Sequence, residues 1–241
     1  MPPSPPPSSP HPPHAVVTGA SSGIGAAVTD RLLTDGWHVT ALSRTRPDNR
    51  HPALTWHPVD LAAPTGLDQA IGAALPGDAP LDAVVHAAGL QASAPLGALD
   101  ASAGERMWRV HVHAATVLMD ALLHRIPDGG RIVLLGSRTA SGVPGKSQYA
   151  ATKAALPALA RAWATELAPR AITVNVVAPG PTDTPMLRDP ARATTPPRTP
   201  ALGRLVRPAE VAALTAFLLG PDGGMVTGQH LVMCGGASLA S

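Results

Sequence analysis

Short apolar runs alternate with amphipathic stretches along most of the chain. Seven of these runs have the length and the near-continuous Ala, Val, Ile and Leu content that are typical of buried β-strands. Strands buried on both faces and separated by helices indicate an α/β fold, with a doubly wound parallel sheet of about seven strands and helices on both faces. The predicted strands are 14–20, 37–43, 54–60, 81–89, 130–137, 171–180 and 228–236, and the predicted helices are 23–36, 64–75, 101–125, about 148–168 and 208–219.

Two segments depart from this alternation. Residues 1–13 are rich in Pro and Ser, and we expect them to form a disordered tail. Residues 181–207 are rich in Pro, Thr and Arg and are predicted to form a loop. The rest of the chain shows no repeat and no second unit, so residues 14–241 are predicted to form one domain.

Composition and charge narrow the classes of function. Apolar residues make up 45% of the chain but aromatic residues only 2%, so Ala, Val and Leu must build the core. The formal net charge is +2 and the arginines are scattered, which argues against a nucleic-acid partner. No apolar stretch reaches the roughly 18 residues of a membrane span.

The metal-binding and redox-active residue types are few or scattered. The single cysteine, Cys234, excludes an intramolecular disulfide, which fits a reducing cytoplasm. The ten histidines are dispersed, and His111 and His113 have an i, i+2 spacing that does not face one way on a helix. We therefore expect a cytoplasmic protein without a metal site.

A glycine-rich turn joins the first predicted strand to the first predicted helix, in the stretch TGASSGIG at 18–25. Glycines at such a junction let the backbone approach a pyrophosphate, and the N–H groups that begin the helix favour its negative charge. This strand–turn–helix context predicts a single Rossmann-fold domain that binds a dinucleotide. The residues predicted to hold the diphosphate are Gly19, Ser21, Ser22, Gly23, Ile24 and Gly25.

The end of the second predicted strand indicates which dinucleotide binds. In such folds an acidic residue about 20 positions further on binds the ribose 2′-hydroxyl of NAD, whereas an arginine accommodates the 2′-phosphate of NADP. Arg44 stands 19 residues after Gly25, and no acidic residue occurs between Gly36 and Asp48. We therefore expect NADP(H), with Ser43 adding a hydrogen bond; the alternative is that Arg44 is a solvated surface residue.

The stretch SQYAATKAAL at 147–156 contains the only tyrosine of the chain, Tyr149, and one of its two lysines, Lys153. Positions i and i+4 of a helix lie on one face, so both side chains can point into one cleft. A free tyrosine has a pKa of about 10, and a nearby ammonium group lowers that pKa. The spacing therefore predicts a tyrosine prepared for proton transfer to or from an oxygen atom.

Several of these motifs together resemble the short-chain dehydrogenase/reductase family, in its branch of roughly 250 residues. TGASSGIG matches the family pattern TGxxxGxG, Tyr149 and Lys153 match YxxxK, and Ser137, 12 residues before the tyrosine, matches the catalytic serine. The stretch 175–180 matches the family segment after the sixth strand, and 203–212 and 227–236 are similar to the C-terminal portion of members that reduce ketones on acyl carrier protein. The resemblance covers about residues 14 to 237.

The resemblance implies a role for each matching residue. Tyr149 would be the general acid in reduction and the general base in oxidation, Lys153 would also hydrogen-bond the nicotinamide ribose, and Ser137 would hold the substrate oxygen. Asp60 matches an aspartate near the adenine, although it also fits a strand-end or capping role. The remaining positions implied to contact the cofactor are Leu61, Ala88, Gly89, Pro179, Gly180, Thr182 and Thr184.

The chain departs from the family pattern at two places. The family usually has NNAG after the fourth strand, where this chain has HAAG at 86–89, and it usually has an asparagine where this chain has His111. That asparagine helps to hold a water in a proton relay behind the lysine. Histidine can donate or accept one hydrogen bond at each ring nitrogen, so His111 is a candidate catalytic relay residue. The alternative is a helix histidine without a relay role.

The sequence therefore predicts an NADP(H)-dependent oxidoreductase that reduces a small ketone to a secondary alcohol. The alternatives are an NAD(P)-dependent dehydrogenase that oxidises an alcohol or dihydrodiol, and an NADP(H)-binding protein without turnover. The resemblance also implies a homo-oligomer, a tetramer or a dimer. Helices 101–125 and 148–168 would then pack across one interface, and the C-terminal helix and strand across another.

Overall fold

A computed structural model describes residues 11–189 and 199–239 of the chain. Its seven strands form one parallel sheet in the order β3-β2-β1-β4-β5-β6-β7, which confirms the predicted fold class. The strands are β1 His14–Thr18, β2 His38–Ser43, β3 Leu54–Pro58, β4 Ala83–His86, β5 Arg131–Leu135, β6 Thr173–Pro179 and β7 His230–Met233.

Helices cover both faces of the sheet, because alternate side chains of each buried strand point to opposite sides. One apolar cluster packs Ile71, Leu118 and Leu156 of three helices against one face. A second cluster packs Leu32 and Leu218 of two further helices against the other face. The α-helices are α1 Gly23–Thr34, α2 Leu67–Ala74, α3 Ala101–Trp108, α4 Ala114–Leu122, α5 Ser147–Leu167 and α6 Pro208–Leu219.

The sheet reverses its winding direction between β1 and β4. These strands are neighbours, with Val16 opposite Val84, but the chain continues from β1 to β2 on one side and from β4 to β5 on the other. At such a switch point the connecting loops diverge and leave a crevice beyond the carboxyl ends of the strands. The crevice is the expected place for a ligand.

The predicted helix at 101–125 is not continuous in the structure. A π-helical turn, Arg109–His113, separates α3 from α4, and a 3-10 turn, Leu123–Arg125, ends the segment. Inside the π turn, the carbonyl oxygen of Val110 accepts a hydrogen bond from His86 Nε2 at 3.0 Å. The apolar spacing of the sequence does not reveal the change, because it depends on a contact with a strand 24 residues earlier.

Other boundaries shift by a few residues at the crevice. The predicted strand 81–89 is regular only over Ala83–His86, because residues 87–89 turn along the crevice instead of pairing. In the predicted loop 181–207, Thr182 bridges to Val206, which ties the two ends of the loop together. Residues 1–10 of the predicted tail and 190–198 of the loop lie outside the described residues.

Within residues 11–189 and 199–239, no helix has both the length and the apolar character needed to cross a membrane.

Candidate active site

One continuous cleft runs along the carboxyl ends of the strands. It consists of a cavity of about 530 Å³ near α5 and a cavity of about 230 Å³ near the glycine-rich turn. Both volumes together fall in the range of small-molecule and cofactor sites. The two cavities share the lining residues Ile24, Ala87, Gly89, Thr184 and Met186.

The smaller cavity lies against the glycine-rich turn. Gly19 has a φ of 66°, and a Cβ built on it would lie 2.6 Å from the Cα of Ala88. A Cβ on Gly25 would collide with the carbonyl oxygen of Gly19. Only glycine therefore allows this close approach of two backbone segments, which leaves the turn open toward the cavity.

The backbone N–H groups in the first turn of α1 have no hydrogen-bond acceptor in the side chain of the N-cap residue. Ser22 is the N-cap residue, its side chain makes no capping hydrogen bond, and the first turn contains no acidic residue. Backbone N–H groups at the start of a helix lack partners within the helix, and they favour an anion. The turn and helix start thus fit a dinucleotide diphosphate, with Ser21, Gly23 and Ile24 also in the cavity lining.

The far end of the smaller cavity presents Arg44. Its side chain is exposed, and among the described residues no carboxylate pairs with it. Ser43 is buried, and its hydroxyl donates to the carbonyl oxygen of Thr45 at 2.8 Å, so its proton is directed away from the cavity. Asp60 lines the cavity with Leu61, and one of its oxygens accepts a hydrogen bond from Ala62 N.

The larger cavity brings together Ser137, Tyr149 and Lys153. Ser137 follows β5, whereas Tyr149 and Lys153 lie on the buried side of α5, where the i, i+4 spacing places them one above the other. Tyr149 is 8% exposed and Lys153 is 4% exposed. The ammonium group of Lys153 donates to the carbonyl oxygen of Leu135 at 2.8 Å, which anchors the lysine at the end of β5.

Burial lowers the pKa of Lys153 to about 7. The cause is desolvation, which disfavours the charged form of a lysine. Its ammonium group lies beside Gly89, since a Cβ built on that glycine would lie 3.6 Å from Lys153 Nζ. The lysine therefore lies at the junction of the two cavities, where a cofactor hydroxyl can become its second partner.

The hydroxyl group of Ser137 is held in place by its own turn. Ser137 caps the 3-10 turn Arg138–Ser141, and its Oγ accepts a hydrogen bond from the backbone N of Thr139 at 3.1 Å. Because the oxygen acts as the acceptor there, the hydroxyl proton remains available for donation. Ser137 can thus donate to a substrate oxygen without giving up this internal contact.

The wall opposite α5 is built from the segment after β6. Gly180 packs so closely on the next strand that a Cβ would lie 2.7 Å from Cys234 Cβ. Thr182 Oγ1 donates to the carbonyl oxygen of Gly180, and Thr184 Oγ1 donates to that of Thr182. Pro179 and these three residues all line the larger cavity, as the family resemblance implies for a nicotinamide wall.

His111 lies outside the lining of both cavities, and both of its ring nitrogens have protein partners. Nε2 accepts a hydrogen bond from the backbone N of Leu90 at 3.1 Å, so Nδ1 carries the proton and donates to Thr152 Oγ1 at 2.8 Å. The hydroxyl of Thr152 donates in turn to the carbonyl oxygen of Tyr149 at 2.9 Å. This geometry leaves neither ring nitrogen for a relay water and favours the alternative of a helix histidine without a relay role.

His86 is the second buried histidine behind the site. Its Nε2 donates to the carbonyl oxygen of Val110, so Nδ1 accepts from Thr18 Oγ1 at 3.0 Å. Burial, and then the positive charge of Lys153, lower the pKa of His86 to about 4. Burial and the same charge also hold the pKa of His111 well below its usual value. Both histidines are therefore neutral at pH 7. They add no positive charge to that of Lys153.

All the residues predicted to bind the cofactor line the cleft, as do Ser137, Tyr149 and Lys153; His111 is the exception. Sequence reasoning missed five polar residues of the lining, two of which are Gln91 and Thr139 of the larger cavity. Thr45 follows Arg44 in the smaller cavity, and Arg138 and Lys146 lie in the larger one. Arg138 and Lys146 had a signal in the sequence, since Arg138 adjoins Ser137 and Lys146 is, with Lys153, one of only two lysines. Within the described ranges, no group of three or more metal-ligating side chains comes together.

Comparison with known proteins identifies the family. A family model described as enoyl-(acyl carrier protein) reductase matches residues 19–238. The chain is 37% identical to cis-4-hydroxycyclohexanecarboxylate dehydrogenase of Sinomonas cyclohexanicum, over 92% of this chain and 95% of that protein. It is 32% identical to the 3-oxoacyl-(acyl-carrier-protein) reductase FabG of Vibrio cholerae, over 92% and 96%. It is 33% identical to the cyclic-di-GMP-binding biofilm dispersal mediator protein of Escherichia coli, over 88% and 92%.

Solved structures of similar proteins lead to the same family. A short-chain dehydrogenase from Burkholderia cenocepacia in complex with NADP has a TM-score of 0.84 and 34% identity, covering 94% of this chain and 98% of that one. A blue fluorescent protein from a metagenomic library in complex with NADPH has the same TM-score, identity and coverage. The chain belongs to the short-chain dehydrogenase/reductase family of oxidoreductases.

Proposed function

We propose that this protein is an NADPH-dependent reductase that converts a small ketone into a secondary alcohol. The observation that carries the proposal is the convergence of Ser137, Tyr149 and Lys153 in one cavity that continues into the glycine-rich cleft. A ketone bound there has a hydrogen-bond donor and a proton source near its oxygen. That arrangement serves a reaction in which negative charge develops on that oxygen.

The bound cofactor supplies a hydride to the carbonyl carbon. Ser137 donates a hydrogen bond to the carbonyl oxygen, because its internal contact with Thr139 uses only its acceptor capacity. Tyr149 gives its phenolic proton to the oxygen as negative charge develops there. Lys153 places a positive charge at the end of β5 and, when protonated, favours the tyrosinate that remains.

The cofactor is NADP(H), with Arg44 as the partner of the 2′-phosphate. An exposed guanidinium at the end of β2, which forms no ion pair with a carboxylate of the described residues, favours a phosphate and gives no acceptor for a free 2′-hydroxyl. The similar structures determined with NADP and NADPH support this cofactor. The glycine-rich turn has room for a diphosphate because Gly19 and Gly25 lack side chains. Larger residues at these two positions would obstruct it.

The test has a binding arm and a turnover arm. Fluorescence titration is expected to show tighter binding of NADPH than of NADH, with the preference lost in Arg44→Ala. A panel of ketones is then screened by NADPH consumption. Tyr149→Phe is expected to bind NADPH normally but to lose turnover, since it keeps the ring and removes the proton. Full activity of Tyr149→Phe would contradict the mechanism, and binding of neither dinucleotide would contradict the whole proposal.

Oxidation of an alcohol is the second candidate function. The same residues serve it, with Tyr149 as the base, because a catalyst of one direction also catalyses the reverse. The 37% identity to a dehydrogenase of a hydroxycyclohexanecarboxylate supports this candidate. Incubation with NADP⁺ and 4-hydroxycyclohexanecarboxylate at alkaline pH, monitored through NADPH formation, distinguishes it from reduction alone.

The proposal includes a homo-oligomer. An outward-facing cavity between α4 and α5, about 390 Å³ in volume, is lined by apolar residues such as Val117 and Trp163 together with polar ones such as Asp120 and Glu166. A second copy that packs these helices against the first would cover it. Analytical ultracentrifugation of the purified protein tests this, and a monomer at micromolar concentration would contradict it.

A further inference from the structure

The substrate end of the cleft carries an excess of positive charge. The larger cavity is lined by Arg138, Lys146 and Lys153, and no Asp or Glu is among the described residues of its lining. The whole chain has a formal charge of only +2, so this local excess does not follow from composition. Both lysines of the chain line this one cavity. Charge of one sign in a cleft with low-dielectric walls attracts ligands of the opposite sign.

Arg138 is the cation of this wall whose side chain has no partner among the described residues. Its side chain is half-buried, and within the described part of the chain no side chain or carbonyl accepts a hydrogen bond from its guanidinium. Other arginines removed from water are paired: Arg125 donates to the carbonyl oxygens of Leu75 and Ala79. A guanidinium has five donors arranged to bind a carboxylate or phosphate through two parallel hydrogen bonds.

Lys146 adds a second positive charge close to the reacting groups. It is 9% exposed, precedes α5 directly and stands three residues before Tyr149. Arg138 likewise directly follows Ser137. The two cations therefore belong to the segments that carry the serine and the tyrosine, so an anion bound between them lies near the reaction centre.

We propose that the substrate carries an anionic group, a carboxylate or a phosphate, which pairs with Arg138 in the field of Lys146. This inference rests on the proposed reductase function and assigns its substrate class. The cavity must also receive the nicotinamide end of the cofactor, because Ile24, Gly180 and Thr184 belong to its lining. The space that remains within about 530 Å³ suits a small keto acid or a small phosphorylated ketone.

The anion takes no part in bond making. A C–H bond forms at the carbonyl carbon with the hydride of NADPH, an O–H bond forms with the proton of Tyr149, and NADP⁺ and the alcohol result. The ion pair instead fixes one end of the substrate. With the other end held by Ser137, the carbonyl group loses rotational freedom before the reaction, which lowers the barrier.

The kinetic test uses pairs of ketones that differ in charge. We expect a KM for 3-oxobutanoate about 10- to 100-fold lower than for its methyl ester, as for one charge-assisted hydrogen-bonded pair. The same comparison between dihydroxyacetone phosphate and dihydroxyacetone shows whether phosphate or carboxylate is preferred. Added NaCl is expected to raise the KM of the charged member of each pair only.

Substitutions test whether Arg138 causes the difference in KM between charged and uncharged ketones. Arg138→Gln is expected to raise the KM for the charged ketone about 10- to 100-fold and to leave the KM values for the ester and for NADPH unchanged. Arg138→Lys keeps the charge and is expected to show a smaller loss. Arg161→Gln, which removes the same charge from an exposed position of α5 outside the cavity, is the matched control.

A binding experiment separates this inference from the proposed function. 3-Hydroxybutanoate or inorganic phosphate is titrated calorimetrically into Tyr149→Phe protein saturated with NADP⁺. Binding that disappears on adding Arg138→Gln supports the anion site even if no ketone is reduced, and the reductase proposal then fails alone. Equal KM values for acid and ester, unchanged in Arg138→Gln, overturn the anion site while the reductase proposal stands. Absence of both anion binding and charge preference overturns the anion site.

Discussion

At the scale of single residues, His111 connects the wall of the smaller cavity to α5, the helix that carries Tyr149 and Lys153. Its ring joins Leu90, which follows β4, to Thr152 of α5, and Thr152 joins the carbonyl group of Tyr149. The rings of His111 and Tyr149 also meet edge to face, with centroids 5.6 Å apart. We infer that these contacts orient Tyr149, with His111 itself outside the lining of both cavities.

The first prediction concerns Thr152, the middle of this chain of hydrogen bonds. Thr152→Val is expected to lower kcat about 10- to 100-fold with an unchanged KM for NADPH, because it leaves His111 Nδ1–H without a partner and loosens Tyr149. Thr152→Ser keeps the hydroxyl group and should retain most of the activity. The measurement is steady-state kinetics over pH 6–9. If Thr152→Val shifts the pH dependence of kcat without lowering its maximum value, a proton path through His111 is indicated.

The second prediction concerns Lys153, whose pKa burial lowers to about 7. Because the chain has only two lysines, ¹³C NMR of protein labelled at lysine Cε is expected to give two signals that Lys146→Arg assigns. The Lys153 signal of the cofactor-free protein should titrate near neutral pH, since the folded site disfavours the charged form. A Lys153 signal that titrates near 10 would show that the ammonium group remains hydrated or paired.

At the scale of elements, the proposed diphosphate site depends on the turn between β1 and α1. Gly19 and Gly25 face each other across the turn, and Gly19 also contacts Ala88 after β4. Three segments thus converge where the diphosphate is expected. The π turn Arg109–His113 likewise positions buried side chains near Lys153. Its Val110 carbonyl oxygen accepts a hydrogen bond from His86, and the turn itself contains His111, which bonds Thr152.

The third prediction compares two Gly→Ala substitutions in helices. Gly25→Ala is expected to destabilise the protein and to abolish NADPH binding, because the new methyl group collides with Gly19 O. Gly72→Ala is the control: nothing lies within 4 Å of its Cβ position in α2, so a gain of about 0.5–1 kcal/mol is expected. Thermal unfolding and fluorescence titration measure both. Normal NADPH binding by Gly25→Ala would contradict the assignment of the turn.

At the scale of the whole molecule, stability should depend on pH through the buried histidines. The unfolded chain protonates His86 below a pKa of about 6.5, whereas the folded protein does so only near 4. Between these values the unfolded state binds more protons, so stability falls as the pH falls. The contribution is complete above pH 6.5 and is lost by about pH 4, and it amounts to roughly 3 kcal/mol.

The fourth prediction follows from this linkage. His86→Asn keeps one donor and one acceptor but does not titrate, so the decline of the unfolding free energy between pH 6.5 and 4 should become shallower. Urea unfolding at several pH values measures it. His124→Asn, at an exposed position, is the control and should leave the decline in place. Equal slopes in His86→Asn and the unaltered protein would show that the histidine is hydrated or protonated in the folded state.

Local features of the sequence were sufficient for the fold class, the cofactor cleft and the tyrosine–lysine pair. Apolar runs reveal strands because burial acts on each run separately, and the i, i+4 spacing reveals Tyr149 and Lys153 because a helix fixes it. Thus the seven strands, the turn at Gly19 and Gly25 and the shared face of α5 were all predictable.

The tertiary structure alone decided features that depend on contacts between distant residues. Three features follow from groups that lie tens of residues apart in the chain: the π turn, the tautomers of His86 and His111, and the low pKa of Lys153. The same holds for the charged wall of the larger cavity, because only the fold brings Arg138 and Lys146 together there. Burial and hydrogen-bond partners arise only when the strands assemble, and no local pattern records them.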